Sequence, residues 1–110
     1  MNLQAQEITT TGIRLILKED DQEIGRIRVY FLHNDLRPQP YALLEDLFVQ
    51  EEFRGKGYGT KLLQAAIEET RKKGCYKVIA TSRHAREKVH ALFIKVGFTW
   101  WGKEFRMDLL

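Results

Sequence analysis

Residues 41–63 combine three local patterns in a fixed order, and they constrain the fold more than any other part of the chain. An apolar run from Tyr41 to Val49 predicts a mostly buried strand. Three glycines at alternate positions follow among basic residues, and apolar residues then recur at helical spacing from Leu62 to Ile67. This stretch therefore predicts a strand, a glycine-rich loop and an amphipathic helix.

The glycine-rich loop, residues 54–60, stands where an anion is bound most easily. The first turn of a helix leaves backbone N–H groups unpaired, and the helix dipole adds partial positive charge there. Glycines permit positive φ and let a ligand approach the backbone, while Arg54, Lys56 and Lys61 add full charges. The loop therefore predicts a phosphate site. The alternative is a glycine-rich turn that binds nothing.

The rest of the chain predicts a mixed sheet with two main helices. Residues 7–32 predict a hairpin with a polar turn at 19–22, since apolar and polar residues alternate strictly from Ile27 onward. The first helix is expected to end near Lys73, with Gly74 as its left-handed cap. The other predicted elements are strands at 76–80, 98–101 and 104–109, and a helix over roughly 84–96 with Ser82 as its candidate N-cap. The predicted class is α+β, with a mixed, mostly antiparallel sheet in the order β-β-β-α-β-α-β-β.

Length and composition predict one soluble globular domain over residues 1–110. Hydrophobic residues make up 44% of the chain and charged residues 30%. No apolar stretch approaches the length of a membrane span, so no membrane partner is expected. The single cysteine, Cys75, cannot form an internal disulfide, which predicts a cytoplasmic location. No metal site is predicted.

The charges are distributed unevenly along the chain. Residues 1–52 carry five Lys and Arg against ten Asp and Glu, whereas residues 53–110 carry thirteen against five. A basic second half favours an anionic cofactor near the glycine-rich loop, and an acidic first half suits a cationic acceptor. Nucleic acid is an unlikely partner for the basic half, because aromatic residues are not interleaved with the cations as a base-stacking surface requires.

Two segments resemble motifs of the GNAT N-acetyltransferase superfamily. Arg54-x-x-Gly57-x-Gly59, soon after a strand that ends in Leu-Phe-Val, resembles the loop with which this family binds the pyrophosphate of acetyl-CoA. The segment 92–98 resembles the family's second motif, Leu-Tyr-x-x-x-Gly-Phe. The resemblance extends over residues 23–109 and implies a GNAT-like fold. It also implies transfer of an acetyl group from acetyl-CoA directly to a primary amine of a small-molecule or peptide acceptor.

The resemblance also implies which residues bind acetyl-CoA. The backbone of Leu47, Phe48 and Val49 is expected to pair with the pantetheine arm as an added strand does. The amides from Gly55 to Thr60 are expected to hold the pyrophosphate. The implied cofactor-binding set is Leu47, Phe48, Val49, Arg54, Gly55, Lys56, Gly57, Tyr58, Gly59 and Thr60.

Two adjacent carboxylates on the central strand are candidate general bases. Glu45 and Asp46 lie on the acidic strand near the expected acceptor site, and strict alternation places them on opposite faces. A carboxylate near an ammonium group can accept its proton. Glu45 is the preferred base because it shares parity with Leu47 and Val49. The alternative is that both carboxylates form structural ion pairs.

The sequence departs from the family pattern at two places. The connection between the first two strands is only residues 19–22, where the family usually has two helices that form one wall of the acceptor site. An open acceptor site, completed by a second subunit in a homodimer, is therefore expected. Phe93 stands at the position of the tyrosine that is taken to protonate the departing thiolate. The alternative function is therefore a catalytically weak or silent module that binds or senses acetyl-CoA.

Overall fold

A computed structural model describes residues 1–83 and 85–110 and, within them, shows a four-stranded sheet with two α-helices. The strands are β1 (Thr11–Glu19), β2 (Gln22–Leu32), β3 (Tyr41–Val49) and β4 (Val78–Ala80), and the helices are α1 (Tyr58–Lys72) and α2 (Glu87–Val96). A 3-10 turn, Glu51–Phe53, follows β3. The strands lie in the order β1-β2-β3-β4, and only β3 and β4 are parallel. The predicted α+β class with a mixed, mostly antiparallel sheet is confirmed.

The hairpin of β1 and β2 closes through a two-residue turn. Asp20 and Asp21 have φ values of 50° and 65°, and Glu19 pairs with Gln22 on either side of them. Two successive positive φ values give the turn a twist that matches the right-handed twist of the strands, and Asp tolerates this conformation better than most residues. The short connection is thus as predicted, although β1 begins at Thr11 rather than at residue 7.

The hydrophobic core lies between the sheet and α1. On α1, Leu62, Leu63 and Ala66 recur at helical spacing and are buried. Alternate residues of β2 and β3 pack against these side chains. The buried hydrophobic side chains are Ile24, Ile27, Val29, Phe31, Ala42, Leu44, Leu62, Leu63 and Ala66. Beyond Lys73, which caps α1, Gly74 has φ 78°, so the predicted left-handed position after the helix is confirmed. Neither of the described helices is long and apolar enough to cross a membrane.

The two predicted C-terminal strands are absent, so the element order ends at α2. The chain at 98–101 and 104–109 forms no strand among the described residues. The side chains of Phe105, Met107 and Leu109 are 91%, 81% and 85% exposed. Their alternation with charged residues fits a strand, but alternation yields a strand only where a neighbouring strand and an apolar surface accept it. No described strand pairs with this segment and its apolar side chains are exposed, so that part of the predicted order is wrong.

Several predicted boundaries shift around β4 and α2. β4 covers three residues rather than 76–80, and α2 begins at Glu87 rather than at 84. His84 itself lies outside the described residues. The N-cap position of α2 is Arg86, which makes no side-chain capping bond. Ser82 precedes the helix by too many residues for its hydroxyl to reach the first-turn amides, so the prediction of a Ser82 cap is wrong.

Candidate active site

The central strand β3 contains a β-bulge at Asp46. In the backbone register of the two strands, Glu45 lies opposite Arg28 and Phe48 lies opposite Arg26. β3 therefore has one more residue than β2 across this stretch. Asp46 has φ 61°, a left-handed conformation that costs most residues energy and that Asp adopts more readily. A bulge bends the strand and increases its local twist. The direction of the side chains therefore changes in the middle of β3.

The carboxylate of Asp46 is fixed by an arginine on the neighbouring strand. It accepts hydrogen bonds from Nε of Arg26 at 2.7 Å and from Nη2 of the same residue at 3.3 Å, while Nε of Arg28 lies 3.7 Å away. The hydrogen bond from Arg26 is the main cause that lowers the pKa of Asp46. The pair therefore stabilises the folded state slightly at pH values above the ordinary carboxyl pKa. This stabilisation is lost as the pH falls through the lowered pKa of Asp46. Asp46 serves to hold the bulge and is a poor proton acceptor.

The bulge changes which side chains share a face of the sheet. Before it, Ala42 and Leu44 are buried in the core, and after it Leu47 and Val49 pack against the same core. The core-facing positions thus change from even to odd numbers. Glu45 consequently lies on the face opposite Leu47 and Val49. The prediction that these three residues share a face is wrong, because it assumed unbroken alternation along the strand.

Both carboxylates line one open pocket on the face of the sheet away from α1. The pocket has a volume of about 540 Å³. Its lining residues are Arg28, Tyr30, Leu32, Leu43, Glu45 and Asp46. The prediction that Glu45 and Asp46 lie on opposite faces is therefore wrong. Asp46 is bonded to Arg26, whereas Glu45 forms no ion pair with any described residue and is exposed. Glu45 is thus the carboxylate of this pocket that is available to a bound amine.

A cleft opens where β3 and β4 separate. The two strands pair only from Ala42 to Leu44 on β3 and from Val78 to Ala80 on β4. β3 continues to Val49, and no described strand adjoins its last five residues on that side. The backbone edge of β3 is therefore not paired with a described strand beyond Leu44.

The pairing of β3 with β2 determines which backbone groups face the cleft. Gln50 N donates to Ile24 O at 2.9 Å, and Phe48 pairs with β2 in the same register. Because the direction of the backbone groups alternates along an antiparallel strand, the N–H groups of Leu47 and Val49 point away from β2. The unpaired edge therefore offers the N–H groups of Leu47 and Val49 to an amide-rich ligand, while the Val49 carbonyl already accepts a hydrogen bond from Nε of Arg54.

The glycine-rich loop ends in an uncapped helix start. Gly57 is the N-cap of α1, with φ 85°, no side-chain capping bond and no acidic residue in the first turn. The first helical hydrogen bond runs from Lys61 N to Gly57 O at 3.1 Å, so the amides of residues 58–60 have no partner within the helix. Gly55 has φ 78°, and no atom lies within 4 Å of a Cβ built at Gly55 or Gly57. Free amides behind open space fit an anionic group such as a pyrophosphate.

Arg54 joins this loop to the end of β3. Its Nε donates to Val49 O at 2.8 Å, and its guanidinium carbon lies 5.5 Å from the centre of the Phe48 ring. Arg26 approaches the same ring at 4.7 Å. Among the described residues, no further hydrogen bond or ion pair of the Arg54 guanidinium is present. The loop is therefore held next to the open edge of β3.

The other loop residues surround Phe53 or meet α2. Nζ of Lys56 lies 5.6 Å from the centre of the Phe53 ring, and the Tyr58 ring lies 6.4 Å from it. Thr60 is half-buried in the first turn of α1. A Cβ built at Gly59 lies 3.5 Å from Cδ2 of Leu92, so α2 packs close to the helix start. The structure thus brings the predicted loop residues together at one end of the cleft.

Phe93 is part of the packing between α2 and the core. Its ring lies 5.4 Å from that of Phe98, and its carbonyl accepts the Phe98 N–H at 3.0 Å. It is partly buried and packs against the core cluster. Cys75 likewise behaves as a packing residue, since burial raises the pKa of its thiol. A role of the Phe93 position at the thioester remains a prediction.

The sequence reasoning missed the bulge and most of the pocket. Tyr30, Leu32 and Leu43 line the pocket and were not among the predicted site residues. A signal was present, because the apolar positions change parity between Leu44 and Leu47 around two adjacent acidic residues. The described residues also contain no group of three or more His, Cys, Asp or Glu placed to hold a metal ion.

These features define an α+β domain in which the parallel strands β3 and β4 separate in front of a glycine-rich helix start. The chain belongs to the Acetyltransferase (GNAT) family, whose sequence model matches residues 2–98. The predicted family and the predicted α+β class are therefore confirmed.

Three known proteins show the extent of the likeness. A glucosamine 6-phosphate N-acetyltransferase of Trypanosoma brucei brucei is 39% identical over 66 residues, which are 60% of this chain and 43% of that protein. An aminoglycoside N(6')-acetyltransferase type 1 of Stenotrophomonas maltophilia is 32% identical over 90 residues, covering 79% of this chain and 59% of that protein. The crystal structure of an acetyltransferase from Trypanosoma brucei superposes with a TM-score of 0.82 at 27% identity, over 89% of this chain and 69% of that one. The chain thus spans about half the length of the curated relatives.

Proposed function

We propose that this chain is an acetyl-CoA-dependent N-acetyltransferase that transfers an acetyl group directly to a primary amine. The observation that carries the proposal is the course of β3. Its edge lines the cleft that leads to the uncapped glycine-rich loop, and its outer face carries Glu45 in an open pocket. An anionic cofactor and a cationic acceptor can therefore meet along one strand. Membership of the GNAT family and the names of the curated relatives support the same reaction.

The residues of the cleft fit acetyl-CoA. We propose that the amides of residues 58–60 and the loop around Gly55 and Gly57 bind the pyrophosphate, which the uncapped helix start, the open space at both glycines and the charges of Arg54 and Lys56 support. We propose that the backbone of Leu47 and Val49 pairs with the pantetheine arm, which their N–H groups, directed away from β2, support. Bound there, acetyl-CoA supplies an acetyl group activated as a thioester. The cofactor-binding set predicted from the sequence is therefore the set we propose.

The chain's own residues supply the remaining chemistry. Glu45 accepts the proton of the amine as the nitrogen attacks the carbonyl carbon of the thioester. We propose that the Leu47 N–H, directed away from β2, stabilises the negative charge that develops on the carbonyl oxygen. Asp46 and Arg26 hold the bulge that puts Glu45 and the Leu47 amide on the same short segment. The bulge is thus proposed to position the base beside the open edge of β3.

The proposed acceptor is a small molecule or peptide with a primary amine. The pocket that carries Glu45 is lined by both charged and apolar side chains, which suits an amine on an organic framework. The curated relatives are named for glucosamine 6-phosphate and aminoglycosides, both of which are amine compounds. We propose the cytoplasm as the setting, since the free Cys75 thiol fits a reducing compartment.

Release of CoA in the presence of an amine panel tests the proposed function. The panel contains glucosamine 6-phosphate, an aminoglycoside, a polyamine and a short peptide, and the free thiol is measured over time. We expect at least one amine to accelerate CoA release and to yield an N-acetyl product. The second candidate, a silent acetyl-CoA-binding module, is favoured by Phe93, which has no proton to give. Binding of acetyl-CoA without turnover of any amine would establish that alternative.

Phe93→Tyr is expected to raise the turnover number about fivefold, with the affinity for acetyl-CoA nearly unchanged. A tyrosine there restores the hydroxyl of the family motif, and an added proton donor assists departure of the sulfur. The gain is modest because a thiol pKa of about 8.5 makes the thiolate a tolerable leaving group. Phe98→Tyr is the matched control, since it adds a hydroxyl to the neighbouring ring of the same cluster. Equal rates in both variants and the parent would show that position 93 does not face the thioester.

We also propose that a second copy of the chain completes the acceptor site. The turn of Asp20 and Asp21 places no helix between β1 and β2, and all six described lining residues of the pocket belong to β2 and β3. Sedimentation velocity at increasing protein concentration is expected to show a dimer, and amine turnover per chain is expected to rise with dimer formation. A monomer at every concentration with full turnover would contradict this proposal.

A further inference from the structure

Three arginines lie on β1 and β2 near the open pocket, and they differ in what they bind. Nη2 of Arg14 lies 2.7 Å from the Glu23 carboxylate, and Nε of Arg26 lies 2.7 Å from that of Asp46. Arg28 lines the pocket, but its Nε is 3.7 Å from the Asp46 carboxylate, which is too long for a hydrogen bond. Its side chain is 46% exposed and forms no hydrogen bond with any residue in the described ranges 1–83 and 85–110. The donor groups of Arg28 are therefore available to a ligand in the pocket.

Arg28 and Glu45 stand opposite each other on the two central strands. Their Cα atoms are partners in the register of β2 and β3, and both side chains line the pocket. Directly opposite side chains of an antiparallel pair begin about 4.5–5.5 Å apart at Cβ. In the part of the chain that the structure describes, the guanidinium and the carboxylate nevertheless form no ion pair with each other. One charge of each sign thus lies side by side in the pocket.

The next positions along the same face of the sheet form an apolar row, made of Tyr30, Leu32 and Leu43. Tyr30 lies opposite Leu43 in the register, two residues along the strands from the charged pair. The three side chains are half-buried and line the pocket. Two residues of a strand span about 7 Å, so a ligand held at the charged pair reaches the apolar row with a group of a few carbon atoms.

We infer that the acceptor is an α-amino acid with an apolar side chain, an inference that rests on the proposed function. Its amine lies at Glu45, its carboxylate accepts hydrogen bonds from Arg28, and its side chain packs on the apolar row. The amine reacts in its neutral form, and its nitrogen bonds to the carbonyl carbon of the thioester. The carbon–sulfur bond breaks with its electron pair on sulfur, and Glu45 takes the proton that the nitrogen loses. The products are the N-acetyl amino acid and CoA.

Two other classes of amine fit this pocket less well. A polycation requires several free carboxylates, but Asp46 is already bonded to Arg26, and Arg28 adds a positive charge. A sugar phosphate can bind Arg28 through its phosphate, yet its hydroxyl groups lose water against the apolar row. An α-amino acid carries one charge of each sign beside one apolar group, which is the arrangement of the pocket.

Steady-state kinetics with matched amines test this inference. L-phenylalanine is compared with L-phenylalaninamide, which keeps the amine and the ring but has a neutral amide in place of the carboxylate. Arg28→Gln is expected to lower kcat/KM for phenylalanine about tenfold to 100-fold, mainly through KM, because a hydrogen bond to a charged group is lost. The same variant is expected to leave kcat/KM for the amide nearly unchanged. Glycine, which has no apolar side chain, is expected to react with a kcat/KM about tenfold or more below that of phenylalanine.

Arg14→Gln is the matched control. Arg14 is bonded to Glu23 on the same face of the sheet and does not line the pocket, so its replacement removes an equal charge without touching the acceptor. Both kcat/KM values are expected to stay at those of the parent. Each comparison uses one substrate in two proteins, so the intrinsic reactivity of the amines cancels. An equal loss for phenylalanine and its amide in Arg28→Gln would show a structural role of Arg28 and overturn the inference.

A direct binding measurement separates this inference from the proposed function. Titration calorimetry follows the binding of phenylalanine to protein saturated with CoA, and we expect binding to the parent and much weaker binding to Arg28→Gln. Binding that depends on Arg28, without acetylation of any amine, would overturn the proposed transfer and leave the amino-acid site. Acetylation of glucosamine 6-phosphate or a polyamine, with neither binding nor acetylation of phenylalanine, would overturn this inference and leave the proposed function.

Discussion

Replacing Glu45 with glutamine is expected to lower the turnover number for the best amine about 100-fold, with the affinity for acetyl-CoA unchanged. A positioned general base typically contributes about 10²–10⁴-fold, and the amide of glutamine cannot accept a proton. Glu45 is exposed in the pocket and forms no ion pair with a described residue, so its replacement leaves the fold intact. The loss is expected to shrink as the pH rises and more of the amine is already deprotonated. Initial rates across a pH series measure both effects.

Glu19→Gln is the matched control for this prediction. Glu19 is an exposed carboxylate at the end of β1 in the same sheet, and it does not line the pocket. Its replacement removes the same charge from the protein but leaves the proposed base in place, so the rate is expected to stay within about twofold of the parent. Equal rates for Glu45→Gln, Glu19→Gln and the parent would exclude Glu45 as the base.

Gly57→Val is expected to weaken acetyl-CoA binding about tenfold to 100-fold. Gly57 has φ 85°, which a β-branched residue adopts only under strain, and a side chain there enters the open space in front of the free amides. Loss of buried hydrogen bonds to the pyrophosphate costs about 1–3 kcal/mol, or about fivefold to 150-fold in affinity, which brackets the expected change. Titration calorimetry with acetyl-CoA measures the change.

Gly74→Val separates strain from binding in this experiment. Gly74 follows the other end of α1, has φ 78° and also has no atom within 4 Å of a built Cβ. Both variants are expected to lose a similar amount of stability, about 1–2 kcal/mol, because both force a side chain into the left-handed region. Only Gly57→Val is expected to lose affinity for acetyl-CoA. Equal affinities in the two variants would place the ligand elsewhere.

The parts of the fold that depend on local patterns could be predicted from the sequence. β3 has the predicted bounds, Tyr41–Val49, because a run of apolar residues followed by turn residues marks a buried strand. The position of Gly74 after α1 followed from the same kind of local signal. The bulge could not be predicted in this way, because strict alternation was assumed through Asp46. The side chain of Asp46, whose φ is positive, is bonded to Arg26 of β2, and sequence spacing alone does not place Arg26 beside it.

The prediction of the C-terminal strands was wrong for a different reason. Residues 104–109 alternate as a strand does, but a strand also needs a neighbour, and β4 is only three residues long. The wrong prediction for Ser82 has the same cause, because it too relied on a local pattern alone. A serine ahead of a helix suggests a cap, yet where α2 begins and which atoms surround the hydroxyl depend on tertiary packing. Local patterns determine where elements form, whereas the site depends on contacts between elements.

The central claim is that acetyl-CoA binds between the open edge of β3 and the start of α1, and amide chemical shifts during a titration test it most directly. The protein is labelled with nitrogen-15, and acetyl-CoA is added to saturation. We predict large shifts for the amides of Leu47 and Val49 and of residues 55–60, with those of β1 nearly unchanged. Saturable shifts confined to other parts of the chain, or no shifts at all, would contradict the claim.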